Sequence, residues 1–283
     1  MDMRMRYQQQ TVSFLTMHGK ERVIAPVLAQ ALGCQVCRVD GFDTDSLGSF
    51  SREIPRLTSA LDTCRRKAEI GMGLSHTALG LASEGSFNTD PWSGLLPWNV
   101  EILVFIDAHN GWEIVGTAQG PAHNQSFTAS DWASMSALAR QHGFPAHQLC
   151  LRPSTVHDPR VIKGIDSWGD LKLAFDTCLQ RSDQGWVHAE SELRAFGNPT
   201  RMAMIERAAH DLAQKISQDC PQCHSPGYQV VSHRSGLPCA ACGLPTRMAT
   251  HAVWRCAYCQ HSHEAALAQS SHADPSRCDN CNP

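Results

Sequence analysis

Four Cys-x-x-Cys pairs, Cys220/Cys223, Cys239/Cys242, Cys256/Cys259 and Cys278/Cys281, crowd the last quarter of a 283-residue chain. A two-residue gap lets one tight turn aim both sulfurs at a single ion, so eight such thiols are the ligand set of two tetrahedral four-cysteine zinc sites. Gaps of 15, 13 and 18 residues between successive pairs allow two pairings. One is sequential, first pair with second and third with fourth; the other is an interleaved brace, first with third. The sequential order is preferred. A shell closed by four thiolates leaves no coordination position for a substrate, so these ions are expected to hold a fold rather than to react. Disulfides need an oxidising compartment, whereas the opening MDMRMRYQQQ is charged and polar rather than an apolar leader. Cytoplasmic residence is the expectation. The other cysteines, Cys34, Cys37, Cys64, Cys150 and Cys178, are scattered and read as ordinary buried or strand-end thiols.

Ahead of the cysteines, a few residues have the chemistry of a phosphate site. His18-Gly19-Lys20 follows a short apolar run and precedes a helical pattern. It offers backbone N–H groups, a helix dipole and a cation to an anion, although a solvated turn lysine has the same sequence. Glu84 follows the apolar LGLA of 79–82 and sits between small residues. It is placed as a metal-binding or water-activating acid after a strand, or as a surface cap. Arg65, Arg66 and Lys67 are one basic run; for the two arginines a solvated helix face is the better reading. Asn198-Pro199-Thr200-Arg201 supplies a further helix start with a guanidinium suited to phosphate, and equally a plain cap. Asp43 and Asp45 read as turn-formers.

The elements that must position these groups follow from periodicity. VSFLTM (12–17) reads as a strand and 21–32 as a helix whose Pro26 implies an irregular or late start, with Gly33 as its stop. The DGFDTDSLGSF stretch (40–50) reads as loop, and Thr58 or Ser59 caps a second helix to about Met72. EILVFID (101–107) and EIVGT (113–117) flank Asn110-Gly111, a strong hairpin signal. Helices are expected at 130–141, 168–181 and 199–216. The whole is a layered α/β domain over 11–217, after a disordered 1–10 and before a double zinc-ribbon module at 218–283.

In this order of elements, TMHGKERV (16–23), SALDTCRRKA (59–68) and LGLASEGSF (79–87) resemble the house-cleaning nucleotide pyrophosphatases, the superfamily of inosine/xanthosine triphosphatases and Maf-type proteins. His18 stands where those enzymes commonly carry Asn, and Thr63 replaces the Asn of their helical motif. The resemblance implies a mixed sheet and Mg2+-dependent hydrolysis of a nucleoside triphosphate. It makes Lys20 a phosphate ligand, Lys67 the basic residue of the helix, Asp62 a metal-binding acid, Glu84 the metal or water-activating acid, and Arg201 the late basic residue. With SEGSF, NPTRM, GLPCAACGLPT and the terminal CDNCNP, the chain also resembles a bacterial family catalogued only as a domain of unknown function.

Composition sets the bounds. A 42% hydrophobic chain of this length buries a core, and its formal charge of −3 gives no global case for nucleic acid. No run approaches the ~18 consecutive apolar residues of a membrane span. Two non-catalytic readings stand beside the hydrolase. In one the ribbons dock nucleic acid or protein through Arg234, Arg247, Arg255 and Arg277 with Trp254 and Tyr258; in the other they join two copies of the chain.

Overall fold

The computed structural model describes residues 6–47, 58–267 and 271–283. Contacts divide the chain into two compact units, Met1–Ala213 and Gln214–Pro283. The boundary falls within the last long helix. Residues 48–50 of the expected 40–50 loop lie outside the described residues, and Thr44–Leu47 make a 3-10 turn.

The first unit opens with β1 (Thr11–Leu15), α1 (Glu21–Leu32) and β2 (Gln35–Val39). α2 (Ala60–Ser75), β3 (Leu79–Thr89), β4 (Pro97–Asp107) and β5 (Trp112–Pro121) follow. Their sheet has the order β2-β1-β3-β4-β5. β1 is parallel to both neighbours, and β3, β4 and β5 form an antiparallel meander. The β4–β5 turn is the Asn-Gly hairpin, with Gly111 at φ +68. α1 is continuous from Glu21, against the late start expected from Pro26. Pro26 lies on the exposed side, and burial of Ile24, Val27, Leu28 and Leu32 outweighs one missing hydrogen bond. The expectation of disorder through residue 10 also needs correction. Tyr7 is buried, its hydroxyl donates to Asp107 Oδ2 at 3.1 Å, and its ring meets Phe105 edge-on.

A second sheet, not anticipated from the sequence, lies within the same unit. It is built from β6 (Ser126–Ala129), β7 (Leu149–Pro153), β8 (Ile162–Ile165) and β9 (Val187–Ser191), in the order β6-β9-β7-β8 with antiparallel pairing. α3 (Trp132–Gln141) and α4 (Trp168–Gln180) cover it, and Met135, Leu171 and Phe175 pack with Leu149, Leu151 and Val187 in one core.

α5 (Pro199–Ile216) is drawn close to the first sheet by the glycines of β5. A Cβ on Gly116 would lie 2.6 Å from Ala208 O and 2.7 Å from Leu212 Cα, so only glycine permits this approach. Asp211 Oδ2 accepts the Thr117 N–H at 2.7 Å and fixes the same contact.

The second unit is a three-stranded antiparallel sheet, β10 (Gln229–Ser235), β11 (Ala249–Arg255) and β12 (Ser262–Ala266), in that order. No helix among the described residues is long and apolar enough to cross a membrane.

Candidate functional site

Five ionisable side chains lie about the overhanging end of β3 in the first unit: Lys20 from the turn before α1, and Lys67, Glu84, Glu101 and Arg201 from four elements, in one ion pair on each face of the sheet. All are buried, Glu101 and Arg201 to within 1% of complete. Register explains how. Phe14 of β1 pairs with Leu81 of β3, so β1 ends at Leu15 while β3 runs on through Ser83, Glu84 and Gly85. The chain turns away from β1 through Gly19, at φ +70, and brings Lys20 back over that overhang. Lys20 Nζ donates to Ser83 Oγ at 3.0 Å. Glu84 therefore lies inside a long strand, not in a loop after a short one as its small neighbours suggested.

Alternation along β3 sends Ser83 and Glu84 to opposite faces. On the α2 face, Lys67 Nζ reaches Glu84 Oε2 at 2.6 Å. Lys67 shares its stripe of α2 with the buried Cys64, Ala68 and Gly71, while Arg66 is exposed and Arg65 is half-buried against Glu113 of β5 at 2.8 Å. On the other face, Gly85 pairs with Glu101 of β4. The space its missing side chain leaves is filled by Arg201, whose Nε donates to Glu101 Oε1 at 2.7 Å. Arg201 Nη1 also donates to Leu193 O at 2.5 Å, and its guanidinium stands 5.7 Å from the Phe87 ring centre.

The start of α5 is fixed independently. Asn198 Oδ1 accepts the Arg201 N–H at 3.0 Å, and Asn198 Nδ2 donates to His123 O and Glu192 O. The reading of Asn198 as a helix cap holds.

Among the described residues these are three cations and two carboxylates in a water-poor region. Its strain shows at Lys20. Burial, then the Arg201 charge, push its amine down to about 8 from 10.5, against the pull of Glu101 and Glu84. Asn99 Nδ2 donates to Glu101 Oε1 and Ser86 O, which turns Asn99 Oδ1 away from both. Asn99 Oδ1 and Glu101 Oε2 are buried with no hydrogen-bond partner among the described residues.

Of the residues singled out in the sequence, Lys20, Lys67, Glu84 and Arg201 are brought together. Gly19 makes the turn, and His18 lies beside it with its ring 5.9 Å from that of Phe196. Asp62 is not brought in. It sits exposed in the first turn of α2, where Ser59 Oγ donates to Oδ2 at 2.6 Å and Arg65 Nη1 to Oδ1 at 2.9 Å. These two contacts, the serine's the stronger, hold its pKa below the usual carboxylate value. Its role in the structure is a helix cap. Glu101, Asn99 and Ser83 are the members that sequence reasoning missed. The available signal was a carboxylate beginning a continuous apolar strand.

In the second unit the thiols form two groups, Cys220/Cys223/Cys256/Cys259 and Cys239/Cys242/Cys278/Cys281. This is the interleaved pairing and corrects the sequential one. β10 and β11 pair from Gln229↔Arg255 to Ser235↔Ala249. That register sets the turn before β10 beside the turn after β11, which joins the first pair to the third. At the other end, the connection after β10 meets the returning chain, where Cys239 bridges Ala273.

The sulfurs lie 3.6 Å apart for Cys220–Cys259, Cys223–Cys256 and Cys242–Cys278, and 3.9 Å for Cys239–Cys281. Four sulfurs ~2.3 Å from a central ion are about 3.8 Å apart at the edges of a tetrahedron. Both groups could hold a metal ion and are consistent with zinc. Backbone N–H groups of the knuckles favour the thiolate form. Those of Cys242 and Ala241 bring Cys239 down to about 7. Burial opposes ionisation of Cys256, yet the Ser225 hydroxyl and the N–H groups of Cys259 and Tyr258 bring it down to about 6.

The protein is thus a mixed α/β chain with a buried ionic cluster and a C-terminal module of two four-cysteine groups. Residues 67–283 match the family described as Domain of unknown function (DUF6671), and the chain belongs to that family. No curated protein matches it.

Proposed function

We propose that the first unit is a Mg2+-dependent hydrolase that splits a nucleoside triphosphate into monophosphate and pyrophosphate, and that the eight thiolates hold two structural zinc ions. The observation that carries the hydrolase reading is the buried Lys20, bonded to Ser83 and feeling the charges of both the Lys67–Glu84 and the Arg201–Glu101 pair. A phosphate is the ligand such a site lacks. Lys20, Lys67 and Arg201 neutralise phosphate charge, Gly19 and His18 border it, and Glu84 orients water or metal. Glu101 takes the second acidic role that the resemblance to the nucleotide pyrophosphatases gave to Asp62. Glu84 and Glu101 are the residues whose oxygens would hold Mg2+, and the ion would supply Lewis-acid stabilisation of the phosphates.

A second reading, non-catalytic recognition of a nucleotide, has one observation in its favour: each carboxylate is already engaged by a cation, at 2.6 and 2.7 Å. For the ribbons, nucleic acid is poorly supported. Arg234 pairs with Glu264 at 2.9 Å and Arg247 with Asp279 at 3.0 Å, and Trp254 stacks on the buried Tyr228. A zinc held by four thiolates also carries two negative charges, which repel phosphate.

The test is pyrophosphate release by zinc-loaded protein with Mg2+ across standard and deaminated nucleoside triphosphates, beside Glu84→Gln. Turnover that the variant loses supports the hydrolase. Tight nucleotide binding without turnover favours recognition, and neither binding nor turnover removes both readings.

A further inference from the structure

Two imidazoles lie face to face outside the ionic cluster. His123 follows β5 and His147 follows α3, yet their ring centres are 3.8 Å apart and their planes 32° apart. His147 attaches through its ring to the first turn of α5, and His123 through its main chain to Asn198 just before it. His147 Nε2 is hydrogen-bonded to Thr200 Oγ1 at 2.9 Å, and the His123 carbonyl accepts from Asn198 Nδ2 at 3.0 Å. Asn198 in turn holds the N–H of Arg201, next in sequence to Thr200. The pair therefore grips the same helical turn that delivers the guanidinium to Glu101.

On balance the arrangement disfavours charged rings, although a hydrogen bond of His123 to the His142 main chain pulls the other way. Nε2 of His123 is buried with no hydrogen-bond partner among the described residues, so a proton there would sit in a buried site without an acceptor. A charge on one ring opposes a charge on the other at stacking distance. His142, at the end of α3, adds a third imidazole whose charge also opposes protonation of His123. The N-terminal end of α5 is itself the positive end of a helix dipole. Burial, first, and then these neighbouring imidazoles keep His123 below the ordinary histidine value; burial alone does so for His147.

We infer that His123 and His147 form a proton-operated latch: uncharged and stacked, they hold the first turn of α5 and so position Arg201, and a proton taken up by either ring releases that turn. Neither imidazole touches the cluster. They are positioning residues acting through Thr200 and Asn198, and the consequence is acid inactivation of the site without global unfolding. The inference concerns the helix turn and stands apart from the identity of the ligand.

Hydrogen exchange on the full-length, zinc-loaded protein tests it. Protection of the amides of residues 201–204, corrected for intrinsic rate, is compared at pH 7 and pH 5 in wild type, His147→Gln and His142→Asn. Gln keeps a hydrogen-bonding group near the position of Nε2 but does not titrate. A ring that protonates at its ordinary 6.5 only when released favours the open turn by up to about thirtyfold at pH 5. The expected loss of protection in wild type and His142→Asn is about tenfold, and His147→Gln should lose markedly less. Ring titrations of the wild type by NMR, with His123 and His147 charging in the same pH range as the loss, give the same answer if the Gln variant fails to fold. Equal protection at both pH values, or an equal loss in His147→Gln, overturns the latch. Inorganic tripolyphosphate binding measured in parallel speaks to the other proposal: absence of binding at pH 7 with intact latch behaviour refutes the phosphate site alone.

Discussion

Gly85→Ala tests the cluster at its tightest point. A Cβ built on Gly85 overlaps Glu101 Oε1 and lies 2.8 Å from Glu101 Cδ and 2.5 Å from Arg201 Nη2. Neither neighbour has room to yield, since their side chains are 0% and 1% exposed and bonded to each other at 2.7 Å. Overpacking a full core costs about 1–3 kcal/mol, and breaking a buried ion pair about 3–5 kcal/mol. A cost of about 2–4 kcal/mol follows, and with roughly 2–4 °C of Tm per kcal/mol for a unit of this size the fall is about 4–16 °C. Gly80→Ala is the control on the same strand. Its Cβ would be crowded by the Met72 side chain, with Cγ 2.6 Å away, which a flexible thioether can relieve, and by Ala68 O at 3.2 Å, which needs a shift of only a few tenths of an ångström. The assay is scanning calorimetry of zinc-loaded protein with inorganic tripolyphosphate titrations at 25 °C. Gly85→Ala should lose at least tenfold in affinity as well as stability, and Gly80→Ala little of either. A Tm for Gly85→Ala within 1 °C of wild type, or equal losses in the two variants, would refute the packing argument.

Lys20 gives a pH signature with two opposite signs. Its folded-state pKa of about 8 lies below the ordinary 10.5, so between those values the unfolded chain holds a proton that the folded one has released. Stability from this group therefore rises as pH climbs from about 8 through 10.5. Tripolyphosphate affinity should fall over the same range because the neutral amine no longer pairs with the anion; Lys20→Met should flatten both profiles in denaturation and calorimetric titrations. For the cysteine module, the pairing predicts metal stoichiometry. Cys220→Ser and Cys256→Ser should each reduce bound zinc from two ions to one, and the double variant should still hold one, because both residues serve the same group. Loss of both ions in the double variant would restore the sequential pairing.

What could be read from the sequence was what is local. Cys-x-x-Cys aims two sulfurs by itself, so the eight ligands were visible. Their partners depend on β10–β11 register, which loop lengths of similar size do not encode. Helix caps at Ser59 and Asn198 and the Asn110-Gly111 hairpin are likewise short-range and appear as expected. The strands of the second sheet went unread because β6 and β8 have only four residues each, too few to show a period. Glu101 was missed for a longer-range reason. Nothing near EILVFID announces a cation, and its partner Arg201 lies a hundred residues away. Asp62 erred in the other direction: a carboxylate in the first turn of a helix has a local use as a cap, and that use is the one it has.

The placement of charge carries the argument for a ligand further than any single residue does. Burying an ion pair contributes little to stability, and well-packed apolar residues of the same volume commonly do as well or better. Two such pairs are buried here beside a fifth charge whose own ionisation is disfavoured. Four elements and the turn before α1, with an elongated β3, a glycine at 85 and a separately capped α5, hold them about the end of β3. The buried amine of Lys20, whose charge its surroundings disfavour, and two buried oxygens of Glu101 and Asn99 without hydrogen-bond partners among the described residues, are unmet demands of opposite kinds. On the proposed function one would take an anion and the other a donor or a metal ion, and a metal-bound phosphate would meet both at once. That complementarity makes the pH dependence of Lys20 and the Gly85→Ala affinity loss consequences of one site rather than separate effects.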